Sequence, residues 1–211
     1  MKNKLRQSIF ASLTSFASLT SVVSMFFISC NISLNNSVPT PIQIEQKWGY
    51  INSTGQLVIP LRFDEACPFS EGLAKVSIGD KSGYINQSGK LVVPLQYDEA
   101  LSFLQGCAPV RLDQKWGYIN QRGKLLIDFQ FHEAWGFSEN LACVRVEDKY
   151  GYINRKGEFI IPLQFDTARD FTDGYAVVER NGQSWVVNTT GQVLELHQKK
   201  TDKKTPIFPK E

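Results

Sequence analysis

Polar and apolar residues alternate along short stretches of this chain, and the alternation returns at a fixed interval. The segments AKVSI, APVRL, ACVRV and AVVER begin at Ala74, Ala108, Ala142 and Ala176, and each has apolar residues at its first and third places. Period-two alternation is typical of a strand with one buried face. Because successive segments start 34 residues apart, the pattern predicts a repeat protein built from β-strands.

A second strand is predicted directly after the first, across two-residue links such as Asn181-Gly182 that favour tight hairpins. Glycine inside a strand marks a bulge or a close approach, so we expect the neighbouring repeat, or the connecting loop, to pack over Gly117 and its equivalents. Trp185 takes the glycine place in the last copy, which predicts that the packing partner is missing there. The copies are KWGYIN (Lys47–Asn52), KSGYIN (Lys81–Asn86), KWGYIN (Lys115–Asn120), KYGYIN (Lys149–Asn154) and QSWVVN (Gln183–Asn188).

A third strand is predicted after an Asn-x-x-Gly turn that closes every copy. Asparagine can bond its own backbone there, and glycine supplies the positive φ of the turn. The apolar run that follows, Leu57–Ile59 in the first copy, is expected to end at Pro60 because proline cannot donate to a ladder. The linker Asp64–Ala66 is interpreted as a single helical turn. Each repeat is therefore predicted to be a three-stranded antiparallel meander.

The chain divides into four predicted segments. Residues 1–29 form a signal peptide, because a basic start precedes a long uncharged run. Residues 30–40 hold a lipidated cysteine and a flexible tether, residues 41–196 hold five repeats, and residues 197–211 form a basic flexible tail. The sequence FISC, which ends at Cys30, resembles the lipobox of bacterial lipoproteins. An ordinary secretory signal and an uncleaved anchor stay open, and all three predict an exported protein, either membrane-anchored or periplasmic or secreted.

The repeat resembles that of the WG-repeat proteins. The resemblance is carried by Trp48-Gly49 and Trp116-Gly117 with the following Tyr-Ile-Asn, by the Asn-x-x-Gly turns, and by the FSEGL block at Phe69–Leu73. It implies an all-β repeat array, found mainly in bacterial and often exported proteins, and it implies no known activity. The departures are Ser82 and Ser184 at the aromatic place, Trp185 at the strand glycine and Asn140 at the loop glycine.

The predicted fold is all-β, with five 34-residue three-stranded meanders stacked as an open solenoid-like array. A closed five-bladed propeller-like ring is the alternative. The open form is favoured because closed propellers often complete one blade with strands from both termini, whereas the repeats here start and stop on unit boundaries.

Residues with catalytic or metal-binding chemistry are scarce. The apolar fraction of 42% excludes general disorder, and the net charge of +2, spread among both signs, does not favour a nucleic-acid partner. His132 stands where the other repeats have aspartate, which indicates a loop residue that caps a backbone amide. The recurring Asp64-Glu65 pair is expected to be structural. We therefore expect no catalytic residues, no metal and no cofactor, and a non-enzymatic protein.

Three cysteines besides Cys30 fall at three different repeat places, so no disulfide framework recurs. Cys107 aligns with leucines in other copies, which predicts a small buried apolar side chain. Cys67 and Cys143 are either unpaired or joined by an incidental disulfide.

The predicted function is binding or scaffolding of a protein or glycan by a monomeric array, held at a membrane through the lipid at Cys30. His132, Trp135 and Asn140 break the repeat within one linker, and they form the predicted binding patch. For Trp135 the alternative is simple packing, as for Leu101 one repeat earlier. The alternative functions are an enzyme accessory or inhibitor domain, or an enzyme with an unrecognised site in the loops between repeats.

The anchor prediction is tested by Cys30→Ser. If Cys30 is acylated, the variant loses fatty-acid labelling and leaves the membrane fraction, because the lipid is the attachment. A variant that keeps both its label and its fractionation contradicts the lipoprotein assignment.

Overall fold

The computed structural model describes residues 38–194. The predictions for the signal peptide, Cys30, residues 31–37 of the tether and the tail lie outside the described residues. The regular structure of the described part is entirely β, arranged as five antiparallel sheets that follow one another along the chain. No helix within residues 38–194 is long and apolar enough to cross a bilayer.

The first sheet has three strands and each later sheet has four, in simple meander order. The first consists of β1 (Thr40–Ile44), β2 (Lys47–Ile51) and β3 (Leu57–Phe63). The second consists of β4 (Glu65–Ala66), β5 (Leu73–Ile78), β6 (Lys81–Asn86) and β7 (Leu91–Tyr97). The third consists of β8 (Glu99–Ala100), β9 (Cys107–Leu112), β10 (Lys115–Asn120) and β11 (Leu125–Phe131).

The remaining two sheets repeat the four-stranded plan. The fourth consists of β12 (Glu133–Ala134), β13 (Ala142–Val146), β14 (Lys149–Ile153) and β15 (Phe159–Phe165). The fifth consists of β16 (Thr167–Ala168), β17 (Tyr175–Arg180), β18 (Gln183–Asn188) and β19 (Val193–Leu194).

The linker between repeats forms a strand, so the prediction of a helical turn there is wrong. Glu65 lies opposite Ser77, and Ala66 lies opposite Val76, in antiparallel pairing with β5. The chain leaves one sheet at an aromatic residue, turns at the next residue, and begins the next sheet at once. Four of the five predicted three-stranded meanders therefore gain a short fourth strand.

In the three repeats that have a proline in the last strand, the strand continues past it, so the prediction that it ends there is wrong. In β3 the chain continues through Pro60 to Phe63, and the register shifts because Tyr50 lies opposite Ile59 while Trp48 lies opposite Phe63. Two residues on β2 therefore face a longer stretch of β3, which bulges. The proline lies in this bulge, where its missing N–H removes no ladder bond.

The bulge explains the strand glycine. A Cβ atom on Gly49 would lie 2.5 Å from the carbonyl oxygen of Ile59 and 2.9 Å from the carbonyl carbon of Pro60. The predicted close approach is confirmed, but the segment over the glycine is the bulge of the same sheet and not a neighbouring repeat. In the fifth sheet Val186 lies opposite Leu194 and Val187 opposite Val193 in regular register, and Trp185 is 41% exposed.

The apolar core lies between consecutive sheets. We call each such interface a joint, numbered first to fourth along the chain. In the first joint, Tyr50 and Phe63 pack against Ala74, Val76 and Ile85 of the second sheet. Every hydrogen bond, ring contact and core cluster described between sheets joins sheets that are adjacent in the chain. Within residues 38–194 the first and fifth sheets share no such contact, so the array is open, as predicted.

A tyrosine hydroxyl crosses every joint. Tyr118, which is fully buried, donates to the backbone carbonyl of Trp135 in the fourth sheet, and its ring lies 5.1 Å from that of Phe137. Burial raises the pKa of Tyr118 well above its ordinary value. The hydroxyl therefore stays protonated and able to donate. The four pairs are Tyr50–Cys67, Tyr84–Leu101, Tyr118–Trp135 and Tyr152–Arg169, at 2.8, 2.6, 2.8 and 2.7 Å.

A carboxylate shared by two sheets adds a polar contact to three of the joints. In the second joint, Lys81 Nζ of the second sheet donates to Asp98 Oδ1 at 2.7 Å, and the amide of Asp113 in the third sheet donates to Asp98 Oδ2 at 2.9 Å. The hydrogen bond from Lys81 is the main cause that lowers the pKa of Asp98. Asp64 and Asp166 accept the corresponding bonds in the first and fourth joints.

The third joint has His132 in place of the aspartate. Nδ1 of His132 accepts from the amide of Glu147 at 2.8 Å, and Lys115 Nζ lies 2.8 Å from Nε2. The amide contact agrees with the predicted capping role. A neutral imidazole has one acceptor nitrogen, whereas an ammonium group and an amide both donate. Histidine therefore satisfies only one of two donors that aspartate satisfies together.

Gly117→Val tests the close approach under the strand glycine. A Cβ atom at this position would lie 2.7 Å from the carbonyl oxygen of Ile127, so the strands must separate. We expect a loss of about 1–3 kcal/mol in the free energy of unfolding, measured in urea. Valine at the exposed Ser184 is the control, with a change within about 0.5 kcal/mol. Equal stability of Gly117→Val and the wild type would disprove the close approach.

His132→Asp tests the mismatch in the third joint. The aspartate can accept from both Lys115 and the amide of Glu147, as Asp98 does one joint earlier. We expect the melting temperature to rise by about 1–4 °C. The reverse exchange, Asp98→His, is the matched control and should lower it. A lower melting temperature for His132→Asp, or an unchanged melting temperature for Asp98→His, would show that the shared carboxylate does not stabilise the joints.

Candidate functional site

Trp135 is held by its backbone at the third joint. Its amide donates to the carbonyl of Cys143 at 3.1 Å, and its carbonyl accepts the hydroxyl of Tyr118. The side chain is half-buried, and its ring centroid lies 5.8 Å from that of Tyr150 at an interplanar angle of 46°. The indole therefore rests on a second aromatic ring and keeps part of its surface in solvent.

A charged pair completes this group. Glu133 Oε1 accepts from Arg145 Nη2 at 2.6 Å, and Glu133 Oε2 accepts from the hydroxyl of Tyr150 at 3.0 Å. The guanidinium carbon of Arg145 lies 6.0 Å from the centroid of Tyr150. Glu133 and Trp135 are two residues apart along extended backbone, so they project from the same face. We call Glu133, Trp135, Arg145 and Tyr150 the Trp135 cluster.

Hydrogen bonding in the Trp135 cluster favours the protonated forms of Tyr150 and Arg145. Burial, and then the hydrogen bond to Glu133, raise the pKa of the Tyr150 hydroxyl. The hydrogen bond from Arg145 to Glu133 raises the pKa of the guanidinium. One anion and one cation face each other beside two rings, so the surface is close to neutral and rich in donors.

The preceding sheet shows what is particular to this cluster. Glu99 and Arg111 form the corresponding ion pair at 2.5 Å. There, however, the strand aromatic is Trp116, which is only 8% exposed, and the residue at the place of Trp135 is Leu101. The fourth sheet has the smaller Tyr150 on the strand and the larger indole in the linker. The exchange moves a tryptophan from the core toward the surface.

The three predicted site residues do not form one group. Asn140 lies in the two-residue turn with Glu139, at φ of +65°, and its amide donates to Gln105 Oε1 at 3.2 Å. Asparagine tolerates this left-handed backbone better than other non-glycine residues. His132 contacts Lys115 and Glu147 in the joint. Among the contacts described for residues 38–194, only Trp135 reaches the cluster with its side chain. His132 reaches it through its backbone amide, which donates to the carbonyl of Arg145 at 2.8 Å.

Sequence reasoning missed Glu133, Arg145 and Tyr150. Glu133 lies directly opposite Arg145, and Arg145 lies directly opposite Tyr150, across three neighbouring strands. The available signal was the recurrence of a glutamate and an arginine at the corresponding places, Glu99 and Arg111. Reading that signal required the strand pairing.

The other candidate groups have structural partners. Asp64 bonds Lys47 and the amide of Gly79, whereas Glu65 bonds Lys75 at 2.7 Å, so the two carboxylates do not converge. Within the described residues, no group of three or more His, Cys, Asp and Glu side chains is arranged to hold a metal ion.

Cys107 and Cys143 are buried residues that pack in the core. Cys107 is 4% exposed, in agreement with the prediction, and Cys143 is 2% exposed. Both are free thiols, so the alternative in which Cys143 pairs with Cys67 is wrong. Burial raises the pKa of both thiols, which makes them poor nucleophiles.

Solved structures similar to this chain include three distant ones. The chain resembles "KlHsv2 with loop 6CD replaced by a Gly-Ser linker" with 11% identity and a TM-score of 0.42, covering 58% of this chain and 47% of that one. A protein of unknown function from Bacteroides caccae has 16% identity and a TM-score of 0.37, and the match covers 71% of this chain and 68% of that one. A plant lectin with two metal binding sites from Cicer arietinum has 11% identity and a TM-score of 0.29, and the match covers 65% of this chain and 91% of that one. These TM-scores support no inference.

Comparison with protein families gives a specific result, although no curated protein matches the chain. The model described as "WG containing repeat" matches residues 48–81, 83–116, 116–150 and 150–183. These four matches cover most of the stacked sheets and begin at or beside the aromatic-glycine step of the hexapeptides. The chain therefore belongs to the WG-containing repeat family.

Proposed function

We propose that this protein is a non-catalytic binding or scaffolding array that contacts a protein or glycan partner through the Trp135 cluster. The observation that carries the proposal is the meeting of Trp135, Tyr150 and Arg145 at one half-buried surface. Tryptophan, tyrosine and arginine are the residue types most enriched among residues that dominate binding energy.

The construction of the cluster supports recognition. Glu133 fixes both Arg145 and Tyr150 through the two oxygens of one carboxylate, so little side-chain entropy remains to be lost on binding. The rings offer apolar faces to a side chain or to the C–H face of a sugar, while the indole N–H and the guanidinium offer donors. A role as an accessory or inhibitor domain would use the same surface.

The proposal includes export. The basic start, the long uncharged run and the lipobox-like FISC sequence support delivery to the cell envelope, with Cys30 as the anchor. The residues between Cys30 and the first strand would then link a monomeric array to the membrane.

Trp135→Ala tests the binding role against a packing role. Leu101→Ala, the same place one repeat earlier, is the matched control. If the Trp135 cluster binds, Trp135→Ala weakens partner capture at least 30-fold, or about 2 kcal/mol, and its melting temperature stays near that of the control. Capture by immobilised protein and binding to a glycan array are the measurements. Lowered stability with full binding would assign Trp135 to packing.

A further inference from the structure

Large apolar side chains are exposed at the same place in all five sheets. They are the first two residues of β3, β7, β11 and β15 and the first residue of β19, from Leu57 and Val58 in the first sheet to Val193 in the fifth. Each is between 37% and 52% exposed. These strands form one edge of every sheet. We call these nine residues the edge row.

The edge row is too large to be incidental. It contains nine of the fifteen exposed large apolar residues in the described part of the chain. Summed over the five sheets, these side chains expose on the order of 600 Å² of apolar surface, as much as the largest patch on a typical monomer. Exposed Pro60, Pro94 and Pro162 lie beside it and extend it. Patches of this size mark interaction surfaces.

The backbone of these edges is poorly suited to strand pairing. Each proline lacks an N–H, and the bulge around it interrupts the ladder, as in other sheets that avoid edge-to-edge association. A partner is therefore recognised through the side chains of the row.

The third sheet interrupts the apolar surface with a charge. Asp128 stands where three other sheets have proline, and it is exposed. No hydrogen bond or ion pair of Asp128 occurs among the contacts of residues 38–194. A single carboxylate in the middle of an apolar row is complementary to a single cation flanked by apolar groups.

Asp128 also disfavours two kinds of partner for the edge row, a second copy of the chain and a lipid surface. A second copy bound about a two-fold axis would bring the third sheets together and place Asp128 against its own copy, which costs energy by like-charge repulsion. A lipid surface would have to bury the carboxylate among apolar chains.

We propose that the edge row binds an extended segment of a partner protein, in which a lysine or arginine pairs with Asp128 and apolar residues on either side contact the neighbouring sheets. Stacked sheets are about 10 Å apart and an extended chain advances about 3.3 Å per residue. The flanking apolar residues therefore stand about three places from the basic one. This surface is separate from the Trp135 cluster, and the proposal does not depend on it.

Selection from a phage library of random 12-residue peptides against the full chain tests the proposal. Selected peptides should share a basic residue with apolar residues three places away on each side. They should bind at least tenfold more weakly to Leu126→Lys and to Asp128→Lys. A peptide with glutamate at the basic place should prefer Asp128→Lys over the wild type. Ile78→Lys is the control, because Ile78 and Leu126 are both 42% exposed and Ile78 lies off the row.

Each contrary outcome is distinct. Failure to select peptides, or selected peptides that bind Leu126→Lys and the wild type equally, overturns the proposal. Self-association in sedimentation that Leu126→Lys abolishes would assign the row to a second copy. Binding of the wild type to phosphatidylglycerol vesicles that Leu126→Lys abolishes would assign it to lipid. Unchanged melting of the variants shows that each result concerns binding and not folding.

Discussion

A tyrosine hydroxyl buried in an apolar joint must find an acceptor, and this requirement fixes how each sheet meets the next. In every joint the acceptor is a backbone carbonyl in the linker, seventeen residues after the tyrosine. The bond ties an inner strand of one sheet to the residue that directly follows the first strand of the next sheet. The repeat therefore cannot slide without leaving the hydroxyl unpaired. In the fifth sheet Val186 stands at the tyrosine place.

The strand glycine and the edge bulge together direct the chain from one sheet into the next joint. The bulge folds the last strand over the glycine, and the chain then leaves the sheet at an aromatic residue that packs into the joint. The fifth sheet has Trp185 at the glycine place, and the residues that would form the corresponding bulge lie outside the described residues. The two surfaces that we propose to bind partners include Trp135 and Asp128, and at both places the repeat departs from its own pattern.

Much of the fold could be predicted because its determinants are local and are repeated. The hexapeptide strand, the Asn-x-x-Gly turn and the small residue at Gly117 each follow from a few neighbouring positions. The Glu65–Ala66 strand could not be predicted, since two residues have no periodicity and their partner on β5 is ten or more residues away. The Trp135 cluster was found only in part, because Glu133, Arg145 and Tyr150 become neighbours through strand pairing.

The free energy of unfolding of Tyr118→Phe, measured in urea from pH 8 to pH 11, tests the central role of the hydroxyl most directly. At pH 8 the variant should be less stable than the wild type by about 1–3 kcal/mol, because the carbonyl of Trp135 loses its donor. The pKa of Tyr118 is raised in the folded state, so above about pH 10 the unfolded wild type ionises while the folded protein does not. The gap between the two proteins should therefore shrink by about 1.4 kcal/mol per pH unit. Equal stability at pH 8, with no change in the difference up to pH 11, would contradict the account.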